Sequence, residues 1–209
     1  MKFKTLHILF LLLVVNKAFS QKDTLLFMNG RIMTGEILEE NKYEVNFREF
    51  NNRGTKDIKL DKYRIFASYS KMGKENIYYE YDTLLGNFLS VKDMKFFVYG
   101  EKDAFYGHKT PFATVLGLTV GATSGYLMHN DKNFVYIVTP FVLTLGSIPF
   151  NIRVNKNHIS NKAYLNENEY LLGYERIARG QRVQNTLKSS LIGMGVGFLV
   201  SVIVNSGSK

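Results

Sequence analysis

The stretch SSLIGMGVGFLVSVIVNSGS, residues 189–208, decides the architecture of this chain. It contains no Asp, Glu, Lys or Arg. A helix of this length covers the roughly 30 Å hydrocarbon layer of a bilayer, so the sequence predicts a membrane span over about residues 189–205. Small residues recur at every fourth position of the stretch, at Ser189, Gly193, Gly197 and Ser201.

Two earlier stretches, residues 110–130 and 133–152, also lack these charged side chains. They predict membrane spans over about residues 111–129 and 134–151. The first of them has its own small residues at every fourth position, at Gly117, Gly121 and Gly125. The alternative for this pair of stretches is a pair of buried helices in a soluble fold.

A spacing of four residues places each set of small residues on one stripe of its helix. Such a glycine zipper lets another helix backbone approach closely, whereas glycine is costly in a helix that faces water. We therefore predict that the two stripes are helix-packing surfaces. The pattern leaves open whether each stripe packs within the chain or against another copy of it.

A basic segment leads directly into the last predicted span. Asn166 and Glu169 have the spacing of a helix-capping box, and an apolar face follows from Tyr170 to Ile177. Basic side chains lie beside this face and at the edge of the span: Arg176, Arg179, Arg182 and Lys188. Amphipathic basic helices lie on anionic membranes, so these four are candidate lipid-headgroup contacts. The alternative is a basic face exposed to water.

The orientation of this segment conflicts with a general rule. Three crossings that start from an exported amino end put residues 153–188 outside the cytoplasm. This segment carries seven Lys or Arg and three Glu, whereas cytoplasmic loops usually hold the positive excess. We prefer three crossings. The alternative is that one of the first two apolar stretches does not cross.

The region before the spans has the period-two pattern of β-strands. Asn29-Gly30 indicates a hairpin, because both residues tolerate a positive φ, and Gly35 in the next strand indicates a bulge or bend. Five strands are predicted, over residues 24–27, 31–38, 43–47, 58–69 and 77–81. Short strands joined by turns favour a small barrel that closes its own edges.

Three tyrosines of this head form a candidate partner patch. Tyr78 alternates with the apolar side of its predicted strand, and Tyr63 or Tyr69 is expected to join it on the outside. An exposed aromatic patch suits a peptide or a glycan. The alternative is ordinary packing of these rings inside the sheet.

A linking helix is predicted between the head and the first span. Ser90 and Asp93 have capping-box spacing, and Val91, Met94 and Val98 fall on one helical face. Gly100 is expected to weaken or end this helix.

The amino end has the layout of a cleavable signal peptide. A short basic start precedes an apolar run from Leu6 to Val15, and Ala18-Phe19-Ser20 supplies the small residues before the cleavage point. The alternative is an uncleaved anchor. Removal of residues 1–20 takes away Lys2, Lys4 and Lys17, so the net charge of +9 becomes +6. In an exported chain this charge favours anionic lipid over nucleic acid.

The sequence offers little for catalysis. It contains no cysteine, which excludes disulfides, a lipid-modified cysteine and thiolate metal sites. His108, His129 and His158 have no metal-ligand spacing. Glu101 and Asp103 are two residues apart, so they point apart on a helix and are expected to solvate or cap a helix end. We therefore predict neither an enzyme nor a cofactor or metal site.

Two resemblances accompany these patterns. The hairpin at Asn29-Gly30 followed by a strand bent at Gly35 resembles small Sm-like or SH3-like barrels over about sixty residues. Three patches resemble a family of uncharacterised envelope proteins of the Bacteroidota: Tyr79-Glu80-Tyr81-Asp82 with Gly86-Asn87, Gly100-Glu101-Lys102-Asp103-Ala104, and Tyr170-Leu171-Leu172-Gly173-Tyr174. The family resemblance implies location and architecture and no reaction. Phe105-Tyr106-Gly107-His108 matches the family pattern only in part.

These patterns predict an α+β protein with a β-barrel-like amino-terminal domain and a membrane region of about three helices. The predicted order is a signal peptide over 1–20, a head over 21–88, a linking helix over 89–109 and a membrane region over 110–208. The predicted role is interaction: holding a partner, or itself, at the membrane of the cell envelope, with the head in the periplasm. The alternatives are an accessory subunit of an envelope transport or secretion complex, and an envelope enzyme.

Overall fold

A computed structural model of the chain describes residues 22–51 and 54–206. The predicted signal peptide lies outside these residues. The fold is α+β, with an antiparallel sheet and four α-helices. The described chain divides into a sheet unit, residues 22–28 and 32–79, and a helical unit, residues 29–31 and 80–206.

The sheet unit holds six antiparallel strands in the order β4-β3-β2-β1-β5-β6. Apolar side chains on one face form its core, among them Leu25, Val45, Phe47 and Ile65, each fully buried. The hairpin turn between the first two strands has Gly30 at a positive φ of 72°. The strands are β1 (Asp23–Phe27), β2 (Ile32–Glu40), β3 (Glu44–Asn51), β4 (Gly54–Asp61), β5 (Ile65–Tyr69) and β6 (Glu75–Ile77).

The predicted closed barrel is wrong, because the sheet is open and ends at β4 and β6. β6 has only three residues, too few to close the sheet across its width. β4 carries Lys56, Asp57 and Lys59 along its length, so the edge of the sheet that it forms is charged.

Three predictions for the strands also change. The predicted strand over residues 77–81 overlaps β6 only at Ile77. The predicted strand over residues 58–69 is two strands, because a 3-10 helix, Lys62–Arg64, interrupts it after Asp61 caps the amide of Tyr63. In β2 the register shifts between Ile37 and Glu39 and not at Gly35. Gly35 instead lies against the Phe47 ring, where a larger side chain has no room.

The helical unit contains α1 (Val91–Gly107), α2 (Pro111–Asn130), α3 (Thr139–Gly146) and α4 (Asn168–Ser206). The predicted cap of α1 is confirmed, since the Asp93 amide donates to Ser90 Oγ over 3.1 Å. Gly100 does not end α1. The absence of a side chain there lets α1 lie against the backbone of Tyr170 in α4, so the glycine serves packing.

The predicted basic segment before the last span, which ends at Lys188, and the last predicted span form one continuous helix. α4 has 39 residues and is the one helix of the described chain that is long and apolar enough to cross a membrane. At 1.5 Å per residue it extends for about 58 Å, nearly twice the hydrocarbon thickness. Its polar first half therefore has to extend beyond any bilayer that its second half crosses.

α2 and α4 run parallel to each other. Gly117 of α2 lies beside Ser189 of α4, and further along both helices Gly125 lies beside Met194. Hydrogen bonds join matching ends, from Asn185 Nδ2 to Thr110 Oγ1 over 2.8 Å and between His129 Nδ1 and Ser201 Oγ over 2.9 Å. Because the two helices are parallel, the chain between them has to return along their length.

The returning segment is not the single helix predicted over residues 134–151. It consists of a 3-10 helix, Phe134–Val138, the short α3, and irregular chain from Ser147. Pro140 lies at the start of α3 and Pro149 lies beyond its end, and proline lacks the amide that a helix interior needs. The return is complete, since Arg182 near the middle of α4 bonds to the carbonyl oxygens of residues 147, 150 and 151.

Candidate functional site

The α2–α4 bundle buries small residues and exposes large apolar ones. The buried residues of α2 are Gly117, Gly121, Ser124 and Gly125. Those in the apolar half of α4 are equally small, namely Ser189, Ser190, Gly193, Gly197 and Ser201. Phe112, Leu199 and Ile203 point outward with 79%, 61% and 70% of their surface exposed. In water this distribution would be inverted, because burial of large apolar side chains drives folding.

The interface between these helices is a contact of backbone with backbone. Gly121 lies against the main-chain carbonyl of Ser190, and Gly125 against that of Met194. From the other side, Gly193 lies against the carbonyl of Leu118 and Gly197 against that of Ala122. The two predicted helix-packing stripes therefore meet each other within one chain.

The hydroxyl groups of the bundle bond largely to the helices that carry them. Ser124 Oγ donates to the carbonyl of Gly121 over 2.8 Å, and Ser189 Oγ to that of Thr186 over 3.1 Å. On α2, Thr119 and Thr123 donate to carbonyls of the preceding turn. Such bonds satisfy hydroxyl groups where water is absent.

A buried polar cluster lies at the polar end of the helical unit, where α1 packs on α4. The Asp103 carboxylate of α1 is 5% exposed and accepts three hydrogen bonds. Tyr170 Oη donates over 2.8 Å, Ser160 Oγ over 2.5 Å and the Ser160 amide over 2.8 Å. Burial and the bond to Asp103 raise the pKa of Tyr170. Asp103 thereby ties the strap, residues 152–166, to both helices.

A second set of contacts holds the beginning of the strap. The Asn155 amide donates to Tyr174 Oη over 3.1 Å, and Asn155 Nδ2 donates to the Gly107 carbonyl over 3.2 Å. Tyr174 Oη also lies 3.3 Å from His108 Nδ1. Burial, with the nearby charge of Arg182, lowers the pKa of His108. A neutral imidazole suits this contact with a tyrosine hydroxyl.

Glu101 is the least satisfied group of this region. Its side chain has no exposed surface, and neither carboxyl oxygen has a hydrogen-bond partner. The only cation paired with it among the described residues is Arg176, whose Nη1 lies 3.1 Å from Oε1. Burial raises the pKa of Glu101 to about 7, against the opposing effect of Arg176. The prediction that Glu101 and Asp103 solvate or cap a helix end is wrong, because both residues are buried inside α1.

The four candidate headgroup contacts have different surroundings. Arg176 pairs with Glu101, Arg179 pairs with Glu175 one helical turn away, and Arg182 bonds to the main chain after α3. Lys188 is exposed at the start of the apolar half of α4. The folded chain thus already engages three of the four basic groups.

The three candidate patch tyrosines do not share one face. Tyr78 Oη lies 3.2 Å from Ser68 Oγ and donates to Glu40 over 3.1 Å. Tyr69 follows Ser68 along β5, so its ring points to the opposite face of the strand, where it donates to Glu75. Tyr63 is largely exposed on the 3-10 helix after β4. The sheet therefore separates Tyr69 from Tyr78.

Residues 22–51 and 54–206 contain no group of three His, Cys, Asp or Glu side chains placed to hold a metal ion. Comparisons with protein-family models, with curated proteins and with solved structures found no match for this chain. The geometry defines a class of protein: an α+β chain with an open antiparallel sheet and four α-helices, of which α4 is long and apolar enough to cross a membrane.

Sequence reasoning missed the Asp103 cluster. Its signals were present in the glycines of two helices, since Gly100 lies against the Tyr170 carbonyl and Gly173 against the Phe97 carbonyl. Tyr170 and Tyr174, four residues apart, add two polar rings on the same helical face. Ser160 carried no signal, because its partner Asp103 lies 57 residues earlier in the chain.

Proposed function

We propose that this chain is a cell-envelope protein held in a membrane by α2, the returning segment and the second half of α4. The observation that supports it is the reversed packing of the bundle, with glycine and serine inside and Phe, Leu, Ile and Val outside. Without a hydrophobic driving force in lipid, membrane helices associate through small residues that allow close contact. Large apolar side chains then face the acyl chains.

The proposed topology has three passages of the chain. Residues 80–109 precede the first passage, the strap follows the second, and the carboxyl end follows the third. The parallel course of α2 and α4 and the contacts of the strap with Asp103 and Gly107 support this order. The strap and α1 therefore lie on one side of the membrane, outside the cytoplasm if the signal peptide directs export.

The topology places residues 153–188 outside the cytoplasm, against the positive-inside rule, which counts Lys and Arg near the ends of spans and gives little weight to Asp and Glu. The carboxylate partners of Arg176 and Arg179 therefore do not remove the charge conflict. The support for the outside position is the parallel course of α2 and α4 together with the predicted signal peptide.

We propose an interaction or scaffold role for this anchored chain, without catalytic activity. The buried carboxylates, Glu101 and Asp103, are enclosed by helices, so they do not face a substrate. The exposed elements available to a partner are the sheet unit and the loop after it. The proposed partner is another envelope protein or a second copy of this chain, in contact with membrane lipid.

Carbonate washing of membranes from cells that make the full chain tests the anchor. The protein should stay in the pellet, as an integral membrane protein does. Release into the supernatant would overturn the anchor. Reporter fusions after residues 160 and 209 test the topology, and the expected result is opposite sides for the two positions. The same side for both would contradict the three passages.

One exposed loop favours the second candidate, an accessory subunit of an envelope transport or secretion complex. Residues 82–87 form a turn closed by a bridge between Asp82 and Asn87. Leu84 and Leu85 in this turn and Phe88 directly after it are exposed to solvent, with 94%, 61% and 72% of their surface accessible. Apolar side chains held together on a closed turn are typical of contacts with another protein.

Purification in mild detergent separates the two candidates. A stoichiometric membrane partner that is lost from the variant Leu84→Ser/Phe88→Ser supports the accessory subunit. A single species made only of this chain supports the scaffold. Met72, in the sheet unit, is 96% exposed, and the matched control Met72→Ser should leave either result unchanged.

A further inference from the structure

β4 is the longer of the two free edges of the sheet. It spans Gly54–Asp61, pairs with β3 on one side and is the terminal strand on the other. The opposite edge, β6, has only three residues. A free edge of this length presents unpaired amide and carbonyl groups that another strand can complete.

The charges of β4 alternate along its outer face. Asp57 pairs with Arg48 of β3 in a bidentate contact, with distances of 2.7 and 2.9 Å. Lys59 lies 3.6 Å from Glu44, and 71% of its side chain is exposed. The opposite face of β4 carries Ile58 and Leu60, which pack on the core of the sheet. β4 therefore has one face with Asp57 and Lys59, and an opposite face with Ile58 and Leu60, which also carries the exposed Lys56.

Symmetry restricts how two copies of β4 can pair. When a two-fold axis relates two antiparallel neighbouring strands, corresponding faces of the two strands lie on the same side of the joined sheet. A residue of one copy can therefore lie opposite only a residue from the same face of the other copy. Alignments centred on residue 56, 57 or 59 place Lys on Lys or Asp on Asp at the axis. Like charges directly opposite each other destabilise a sheet.

One extended alignment avoids this repulsion. With Ile58 opposite Ile58 on the axis, Asp57 of each copy opposes Lys59 of the other, and residues 55–61 are paired. A charge row then runs across the joint as Arg48, Asp57, the second copy's Lys59 and that copy's Glu44, with alternating sign. An alignment centred on Leu60 also avoids like charges but overlaps only the end of the strand.

We propose that two copies of this chain pair through their β4 strands, centred on Ile58, so that their two six-stranded sheets form one continuous sheet. The inference deepens the proposed function and rests on it, because it names the partner of the scaffold. A strand of another protein carries no reason to reproduce the alternating charge row. A second copy reproduces it by symmetry, and this complementarity favours self-pairing.

Single cysteines test the alignment, because the chain has none of its own. The experiment uses the full chain in native membranes. With Ile58→Cys, the Cα atoms of the two substituted residues lie about 5 Å apart across the joint, which is within the range of a disulfide. Lys56→Cys on the same face places them about 14 Å apart. After mild oxidation, a non-reducing gel should show a dimer for Ile58→Cys and a monomer for Lys56→Cys.

Charge exchange gives a second, independent measurement. In the Ile58→Cys background, Lys59→Glu places a carboxylate opposite Asp57 of the other copy, twice across the joint. This repulsion should lower the dimer yield by about tenfold. Asp57→Lys combined with Lys59→Glu restores opposite charges across the joint and should recover the yield. The double variant also loses the contact between position 57 and Arg48 within each chain, which cannot raise the dimer yield. A recovered yield would therefore come from the restored charge pairs between the two copies.

Several outcomes would overturn the inference. Equal cross-linking of the Lys56→Cys and Ile58→Cys variants means random collision. Membrane-retained Ile58→Cys protein without any cross-link means no self-pairing, and its cross-link to another protein means a foreign strand. A yield that stays low in the exchange variant excludes the charge row. Because retention in carbonate-washed membranes is measured on the same samples, failure of the pairing is distinguishable from failure of the anchor.

Discussion

Gly197 of α4 lies against the main-chain carbonyl of Ala122 in α2, with no side chain between the two helices. The same relationship recurs along the interface with Gly193 and Leu118. Because no side chain separates them, the two helix backbones are in direct contact along the interface and gain dispersion energy there. The contact explains why the stripe tolerates glycine, which is a poor helix former in water.

Gly197→Ala and Gly195→Ala form a matched pair on one helix. A Cβ added at position 197 would overlap the Ala122 carbonyl, whereas a Cβ at position 195 meets nothing within 4 Å. We expect Gly197→Ala to destabilise by about 1–3 kcal/mol through overpacking, and Gly195→Ala to be neutral or stabilising by up to about 1 kcal/mol. Thermal unfolding in detergent measures both, and equal midpoints for the two variants would contradict this interface.

Asp103→Asn removes the charged acceptor that holds the strap. The amide presents a donor towards Ser160 and Tyr170, which are donors themselves. We expect a loss of about 2–3 kcal/mol and faster trypsin cleavage after Arg153, Lys156 and Lys162, all exposed in the strap. Tyr170→Phe removes only one of the three bonds and should have a smaller effect. Unchanged cleavage in both variants would mean that the strap is held by other contacts.

Glu101 makes the stability of the helical unit depend on pH. Its pKa in the folded chain is about 7, raised above the value near 4.5 of an exposed carboxyl. Between these values the folded chain keeps a proton that the unfolded chain has lost, so stability is full below pH 4.5 and falls as the pH rises through 7. The total change is about 3 kcal/mol.

Glu101→Gln should remove this pH dependence, because glutamine does not ionise. Its unfolding midpoint is expected to exceed that of the unaltered chain at about pH 8 and to equal it near pH 4.5. Arg176→Gln removes the cation that lowers the Glu101 pKa, so the midpoint of the pH transition should move upward. A pH profile that is the same with and without Glu101 would show that the carboxylate is solvated or paired.

Arg182 distinguishes a lipid contact from an internal one. Its guanidinium donates to the carbonyls of Phe150 over 2.7 Å and Asn151 over 3.0 Å, and a lysine lacks the fork geometry for both. We expect Arg182→Lys to lower stability in a detergent free of anionic lipid. Lys188→Gln, at an exposed position, should change stability only when anionic lipid is added. A loss at Arg182 that also requires anionic lipid would indicate a headgroup contact instead.

The strand and helix pattern of the chain followed largely from local rules. Alternation and turn residues located β1, β2 and β3. They failed over residues 58–69, where the cap at Asp61 starts a 3-10 helix. They also failed over residues 77–81, of which only Ile77 lies in β6. Ser90 located the start of α1. Gly100 misled the prediction of its end, because a glycine that is unfavourable for an isolated helix is required where another backbone lies against it.

The sequence by itself determined the small residues at every fourth position and the uncharged length of the last helix, because both depend only on helical period and composition. Tertiary structure decided that the two stripes meet each other within one chain, that α2 and α4 are parallel, and that the segment between them returns. It also decided that the sheet stays open at β4 and β6. These properties depend on contacts between distant residues, such as Gly197 with Ala122, and no local pattern encodes the partner of a stripe or of a strand edge.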